Sequence, residues 1–260
     1  MNIPSATPKT ILFIHAHPDD EALLTAGTMA RASSSGHHVV LLVMTDGAAG
    51  LTSTQYSHNI AAIRQEELQA SASKLGVESV ISWDLPDSGL MGEHENGFAH
   101  RNLEQLSDQL GDLITDIGAS IVVGYDSSGG YGHPDHLQVH RLARHAYSQG
   151  AHTFALFEAT MPREPIARAA ELAEFLHLTP KGFSSQEFAT AWTPRANITH
   201  RVNVRAYINE KRAAIKAHAS QAHADNTVRT LGVLSALPSP IFSALLGTEY
   251  FVKVPKNLAS

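Results

Sequence analysis

Two short segments carry residue types that could hold a metal ion and move a proton: His17-Pro18-Asp19-Asp20-Glu21 and His133-Pro134-Asp135-His136. His17 and Asp20 are three apart, and so are His133 and His136, which puts each pair on one side of a first helical turn. A catalytic zinc takes three protein ligands and keeps a fourth position for water. Two ligands from one segment and one from the other would meet that need. The chain has 16 histidines and no cysteine in 260 residues, so any metal site must be built from His, Asp and Glu. Taken singly, each segment also reads as ordinary capping, because acidic residues complement the dipole at a helix start. The occurrence of both in one chain favours a site.

The elements around them must bring the two segments together. Thr10–His15 is a buried strand followed by an apolar-periodic helix over Glu21–Ala32. Val39–Thr45 is a second strand that breaks at the turn pair Asp46-Gly47. A helix from Ser57 to Leu75 ends at Gly76, suited to a left-handed cap. Ser79–Trp83 is a weaker strand. Asn102 with Gln105 opens a helix whose face is Leu103, Leu106, Leu110, Leu113 and Ile117. Ser120–Tyr125 is a strand that empties into the Ser/Gly loop Asp126–Gly132, with a helix over His136–Ser148 and a strand over Thr153–Glu158. Beyond these come a helical pattern at Ile166–His177, an edge strand at Ile198–Val204, a helix at Ala206–Ala222 and a last strand at Glu249–Val254. This alternation predicts an α/β fold, a Rossmann-like, mostly parallel sheet flanked by helices. One domain is expected, with a core over about 10–160 and a C-terminal elaboration over about 161–260. In such sheets ligands bind outside the carboxyl ends of the strands, where both His-Pro-Asp junctions fall. Each His is expected at an N-cap with its proline in the first helical position.

Composition removes several classes. The apolar fraction of 43% suits a globular chain, and 19 basic against 25 acidic residues leave a net charge of −6. No basic face is evident, so no nucleic-acid partner is expected. The longest apolar run, Val39–Met44, is far too short to span a bilayer, and the polar start has no secretory pattern. A cytoplasmic protein without membrane contact is the expectation. Without cysteine there are no disulfides, iron–sulfur clusters or thiol nucleophiles. No G-x-G-x-x-G and no phosphate-binding loop follows any strand, which argues against a nucleotide enzyme.

Ala16–Glu21 (AHPDDE) and Gly132–His136 (GHPDH) together resemble the PIG-L/LmbE family of zinc-dependent N-acetylglucosaminyl deacetylases. Arg64-Gln-Glu-Glu67, Asp87-Ser-Gly-Leu90 and Lys211 to Gln221 extend the resemblance over about residues 10–222. It implies that His17, Asp20 and His136 hold Zn2+, although such donors also accept Fe2+ or another divalent metal. It implies Asp19 as general base, and His133 as the group that stabilises the tetrahedral intermediate or protonates the leaving amine. Tyr131 would be a mobile tyrosine beside the scissile carbonyl, and Arg64 and Asp87 would hold the substrate's head group.

The residues themselves suggest further placements. Asp135 is expected to hydrogen-bond His133 and keep it charged. His218, on a stripe with Lys211 and Ile215, is expected at the site mouth as a substrate contact, and Lys211 reads as a surface charge. His140 is a reserve ligand or a packed histidine, and His15 a buried neutral one. The loops 47–58, 85–101 and 160–197 are expected to shape the pocket, with Pro162, Pro165 and Pro180 stiffening its cover. The apolar tail Leu231–Leu246 could be core or a subunit interface, which leaves a homo-oligomer open. The expected function is a hydrolase that removes an N-acetyl or other N-acyl group from a small-molecule amino-sugar conjugate. The alternatives are an amidase acting on a larger conjugate and a non-catalytic sugar-binding member of the family.

Overall fold

The structure is a computed structural model that describes residues 7–49, 59–149, 154–177, 179, 184–224, 227–228 and 230–256. The expected positions Ser57, Thr153 and Pro180, and most of the loop 47–58, lie outside the described residues. In chain order the elements are β1 (Thr10–His15), α1 (Asp20–Leu24), α2 (Ala26–Ser34), β2 (His38–Thr45), α3 (Ile60–Leu75), β3 (Ser79–Leu85) and α4 (Leu103–Asp116). Then follow β4 (Ala119–Tyr125), α5 (Gly129–Gly132), α6 (Pro134–Ser148), β5 (Ala155–Thr160), α7 (Arg163–Phe175), β6 (His200–Asn203) and α8 (Ile208–Ala217). A small hairpin, β7 (His223–Ala224) with β8 (Thr227–Val228), precedes α9 (Thr230–Ala236), α10 (Ser239–Leu246) and β9 (Thr248–Lys253).

The main sheet has the order β3-β2-β1-β4-β5-β9-β6. The first five strands are parallel, and β9 runs antiparallel to both β5 and β6. The chain winds outward from β1 to β3 and then returns to place β4 on the other side of β1. The crevice for a ligand therefore opens between the carboxyl ends of β1 and β4.

Alternation along β1 sorts the core into two layers. Ile11 and Phe13 pack with Met29, Leu68, Leu75, Ala214, Ile215 and Phe242 on one face. Leu12 and Ile14 pack with Leu106, Leu110, Ile114, Val139 and Leu142 on the other. Each of the larger of these side chains contributes about 1.5–3 kcal/mol by leaving water. Asn102 caps α4 as expected, its side chain accepting the Gln105 amide at 2.9 Å, and Gly76 closes α3 at φ 67°.

Three of the departures from the expected helices follow from local contacts and breaks. The helix expected over Glu21–Ala32 is two helices, because Thr25 leaves helical geometry at φ −131° and meets His15 Nε2 at 2.7 Å through its hydroxyl. The long helix expected to reach Ala222 ends at Ala217, with single 3₁₀ turns on either side. The tail is two helices: Leu231 and Phe242 enter the core, while Val233, Ile241 and Leu245 stay exposed. Among the described residues no helix is long and apolar enough to cross a membrane.

Candidate metal centre

The two His-Pro-Asp junctions fold differently. His133 is the N-cap of α6, with Pro134 in the first turn, and its Nδ1 accepts the Asp135 amide at 3.2 Å. His17, in contrast to expectation, is not a cap. Its backbone amide donates to Asp20 Oδ2 at 3.0 Å, which holds residues 17–19 as a turn and delays α1 to Asp20. Asp19 then becomes the cap at φ 127° and ψ −26°, a conformation that favours glycine. Such a residue costs about 1–3 kcal/mol and persists only where its surroundings hold it.

The turn and the first turn of α6 bring three side chains to one point. Asp20 Oδ2 lies 3.2 Å from His17 Nδ1 and 3.2 Å from His136 Nε2. Zinc bonds of about 2.0–2.1 Å in a tetrahedron imply ligand edges of about 3.3 Å, so this spacing suits one divalent ion. The far nitrogen of each ring is tied back: His17 Nε2 to Asp135 Oδ2 at 3.2 Å, and His136 Nδ1 to the Gly129 carbonyl at 3.2 Å. Bonds of this kind fix the tautomer and direct the near lone pair inward. His136 Nε2 is buried and has no hydrogen-bond partner, as a donor atom waiting for a cation would be. His17, His133 and His136 also gather ligand atoms within 4.8 Å of one another, as do His17, Asp87 and Asp135. Tyr125 donates to Asp20 Oδ2 at 2.7 Å.

The electrostatics follow from burial and these contacts. Burial alone would push His17 down, but hydrogen bonds to Asp135 and Asp20, with Asp87 nearby, raise it to about 10. Burial would likewise raise Asp20, yet His136 and His17 hold it well below the usual carboxylate range. Asp19 is raised, because burial outweighs the Arg64 guanidinium 3.3 Å away. His133 is lowered to about 4 by burial, and next by His17 and His136. The expectation that Asp135 keeps His133 charged therefore fails. The Asp135 carboxylate faces His17 and the amides of Ser88 and Ala99, and only its backbone meets His133.

The remaining expected residues divide between the site and its supports. Tyr131 is half-exposed and stands edge-on to His136 at 5.3 Å and to His133 at 6.0 Å. Asp87 lies 3.7 Å from His17 Nε2. Arg64, expected at a head group, is only 3% exposed and donates to the carbonyls of Gly47 and Pro18. His218 is not at the mouth: it is fully buried and meets Glu21 Oε1 at 2.6 Å. Burial would lower it, but Glu21 raises it, and Glu21 is in turn brought down to about 2 against its own burial cost. Lys211 is buried rather than on the surface, with Nζ 2.6 Å from Glu249 Oε1. Glu249 also accepts the Gly27 and Thr28 amides at the start of α2. His140 turns away from the ligand set to Glu158 and the Tyr125 carbonyl. His15 is buried and lowered to about 4 by that burial.

Three supporting residues escaped the sequence reading: Glu21 as an acceptor, Tyr125 and Asp126. Asp126 accepts the Ser128 and Gly130 amides and the hydroxyls of Thr160 and Thr193, tying the loop of Tyr131 to the end of β5. Tyr125 and Asp126 stand where β4 ends, so the strand-end rule could have singled them out.

A sequence profile of the family described as GlcNAc-PI de-N-acetylase matches residues 12–147. A 1D-myo-inositol 2-acetamido-2-deoxy-alpha-D-glucopyranoside deacetylase of Acidothermus cellulolyticus is 31% identical, over 94% of this chain and 88% of its own. Among solved structures, the N,N'-diacetylchitobiose deacetylase from Pyrococcus horikoshii superposes with a TM-score of 0.62 at 21% identity, covering 96% of this chain and 85% of that one. The 4-carboxy-2-hydroxymuconate hydratase from Pseudomonas putida gives 0.61 at 19% identity, covering 95% and 96%. These two likenesses concern the fold alone, and their names carry two different reactions. The profile covers both His-Pro-Asp junctions and the deacetylase relative aligns over nearly the whole length, so this chain belongs to the PIG-L, or GlcNAc-PI de-N-acetylase, family.

Proposed function

We propose that this chain is a metal-dependent hydrolase that removes an N-acetyl or other N-acyl group from a small amino-sugar conjugate. The strongest support is the shared Asp20 oxygen, 3.2 Å from both His17 Nδ1 and the orphaned His136 Nε2, with Asp19 beside it. The named function of the Acidothermus relative agrees with this reading. His17, Asp20 and His136 would hold the ion, read as zinc with iron(II) as the alternative. Such an ion supplies an acidified water and a Lewis acid for the acyl oxygen.

The chain's own groups do the rest in this proposal. Asp19, with its raised carboxyl, takes the proton of the attacking water as the oxygen–carbon bond forms. His133 accepts a backbone amide at Nδ1, so its proton sits on Nε2, which can donate to the developing oxyanion. That makes it a neutral donor rather than a standing cation. The carbon–nitrogen bond then breaks and the proton held by Asp19 passes to the departing amine. Tyr131 stands over the same rings as a second donor, and Asp87 lines the approach.

The test is free-amine release from GlcNAc-inositol, GlcNAc-malate and GlcNAc, using metal-free and zinc- or iron(II)-loaded protein. Metal-dependent release from any of them supports the proposal. Silence on all three with one metal bound per chain would shift the reading to an amidase acting on a larger conjugate. Silence with no metal bound would leave a non-catalytic binding member.

A further inference from the structure

The peptide plane that joins Pro18 to Asp19 is held at both of its polar ends. Its carbonyl, on Pro18, accepts from Arg64 Nη2 at 2.6 Å. Its amide, on Asp19, donates to Glu21 Oε2 at 2.9 Å. Both partners carry charge, so both hydrogen bonds belong to the stronger class. Neither partner is free to swing. Arg64 is also fastened to the Gly47 carbonyl. A methyl group on Gly47, which sits at φ 64°, would stand 2.6 Å from that guanidinium and would push it off its place. Glu21 is completely buried, and its other oxygen accepts from His218 Nε2 and Ser71 Oγ, each at 2.6 Å.

The orientation of this plane decides where the Asp19 side chain points. Rotation about the bond from the Asp19 nitrogen sets φ, and φ here is 127°, which an aspartate does not adopt unaided. We infer that Glu21, backed by His218 and Ser71 and opposed by Arg64, is a positioning clamp that turns the Pro18–Asp19 peptide and so aims the Asp19 carboxylate. This rests on the reading of Asp19 as general base given above. His218, just past the end of α8, and Ser71, on α3, act through two intermediaries without touching the reacting atoms. Arg64 contributes twice, since it also lies 3.3 Å from Asp19 Oδ1.

The experiment compares His218→Leu, which removes the donor, with His218→Gln, whose amide N–H replaces it. Three quantities are read: kcat and KM on the best amino-sugar substrate, metal per chain, and hydrogen exchange at the Asp19 amide. The exchange measurement needs no substrate, so it stands even if the proposed activity fails. A misaimed catalytic group costs about 100-fold in rate. The expected result for His218→Leu is a fall in kcat of that order, with KM and metal content within about twofold of wild type. Protection of the Asp19 amide is lost in parallel, and His218→Gln restores most of both. A folded, metal-loaded His218→Leu with wild-type kcat would overturn the inference. So would a kcat loss that leaves Asp19 amide protection intact. If His218→Leu does not fold, Ser71→Ala removes the other bond to the same oxygen. It is expected to move kcat and amide protection in the same direction by a smaller factor, and no movement in either would again overturn the inference.

Discussion

Replacing Asp135 with asparagine removes a charge from behind the proposed metal ligand His17 without changing the side chain's size. The Asp135 side chain is fully buried and serves three donors: the amides of Ser88 and Ala99, each at 3.0 Å, and His17 Nε2 at 3.2 Å. Asparagine has one acceptor oxygen. If that oxygen stays toward Ser88 and His17, its NH2 group faces the Ala99 amide, which loses one of its two acceptors but keeps the Ser88 hydroxyl at 2.8 Å, at a cost of about 0.5–1.5 kcal/mol. For a chain of this size that is a melting-point drop of about 1–6 °C. Loss of a carboxylate behind a ligand histidine costs about 10–100-fold in metal affinity, or about 1.4–2.7 kcal/mol. The pH dependence has a definite sign. Asp135 also helps hold the His17 proton up to about 10, and that proton competes with the metal. At neutral pH part of the loss is therefore masked, because the variant's imidazole gives up its proton more easily. The gap between wild type and Asp135→Asn is expected to widen as the pH rises toward about 10. Competition titration against a chromophoric chelator at pH 7 and 9, with melts alongside, measures both effects. Zinc affinities within twofold at both pH values, together with an unchanged melt, would show that this carboxylate does not hold His17.

Asp19→Ala is expected to keep its metal and lose about 100- to 10,000-fold in kcat, while His136→Ala loses both metal and turnover. Undiminished deacetylation by Asp19→Ala would remove it from the base role. Zinc loading at pH 7 is expected to release about one proton per ion, since His17 carries one below about pH 10. Calorimetry in two buffers of different ionisation enthalpy reads that number, and zero release would contradict the charge assigned to His17. Lys211→Met strands the buried Glu249 carboxylate and should cost about 3–5 kcal/mol in urea unfolding. The Gly27 and Thr28 amides that remain on Glu249 place the loss at the lower end. The double variant Lys211→Met/Glu249→Gln is expected to recover much of it, and a single-variant loss under about 1 kcal/mol would mean that water reaches the pair.

The central strands β1, β2 and β4 were legible because each is a run of apolar residues with punctuation at its end, whereas the two-residue strands β7 and β8 carry no such run. β1 was placed residue for residue over Thr10–His15. The Asn102 cap was equally local. What the sequence hid were contacts between distant residues. Lys211 looks like a surface cation until Glu249, 38 residues later, arrives beside it. By spacing alone His218 would share a helical stripe with Lys211, but it follows the end of α8 and its partner Glu21 is 197 residues away, so the ring faces the interior and not the mouth. Asp135 sits two residues from His133, and proximity in sequence suggested that pair. The carboxylate instead reaches His17, 118 residues earlier. The two junctions also looked equivalent by pattern. The His17 amide bond to Asp20 and the cap that His133 makes to the Asp135 amide distinguish them, and the shared His-Pro-Asp pattern encodes neither.

The position of β9 has a consequence for how the chain is made. It is the last of the described strands to be synthesised, yet it lies inside the sheet, paired on one side with β5 and on the other with β6. Until it emerges, β5 presents an open ladder edge, the kind of surface that invites pairing with another chain. β6 meanwhile has no strand to lie against. The parallel half can gather as it leaves the ribosome, but closure of the sheet must wait for its final contribution. Glu249, which anchors Lys211 and the start of α2, belongs to that same strand. One late event therefore completes both the sheet edge and a buried charge pair, and the nascent protein stays exposed to wrong partners until then.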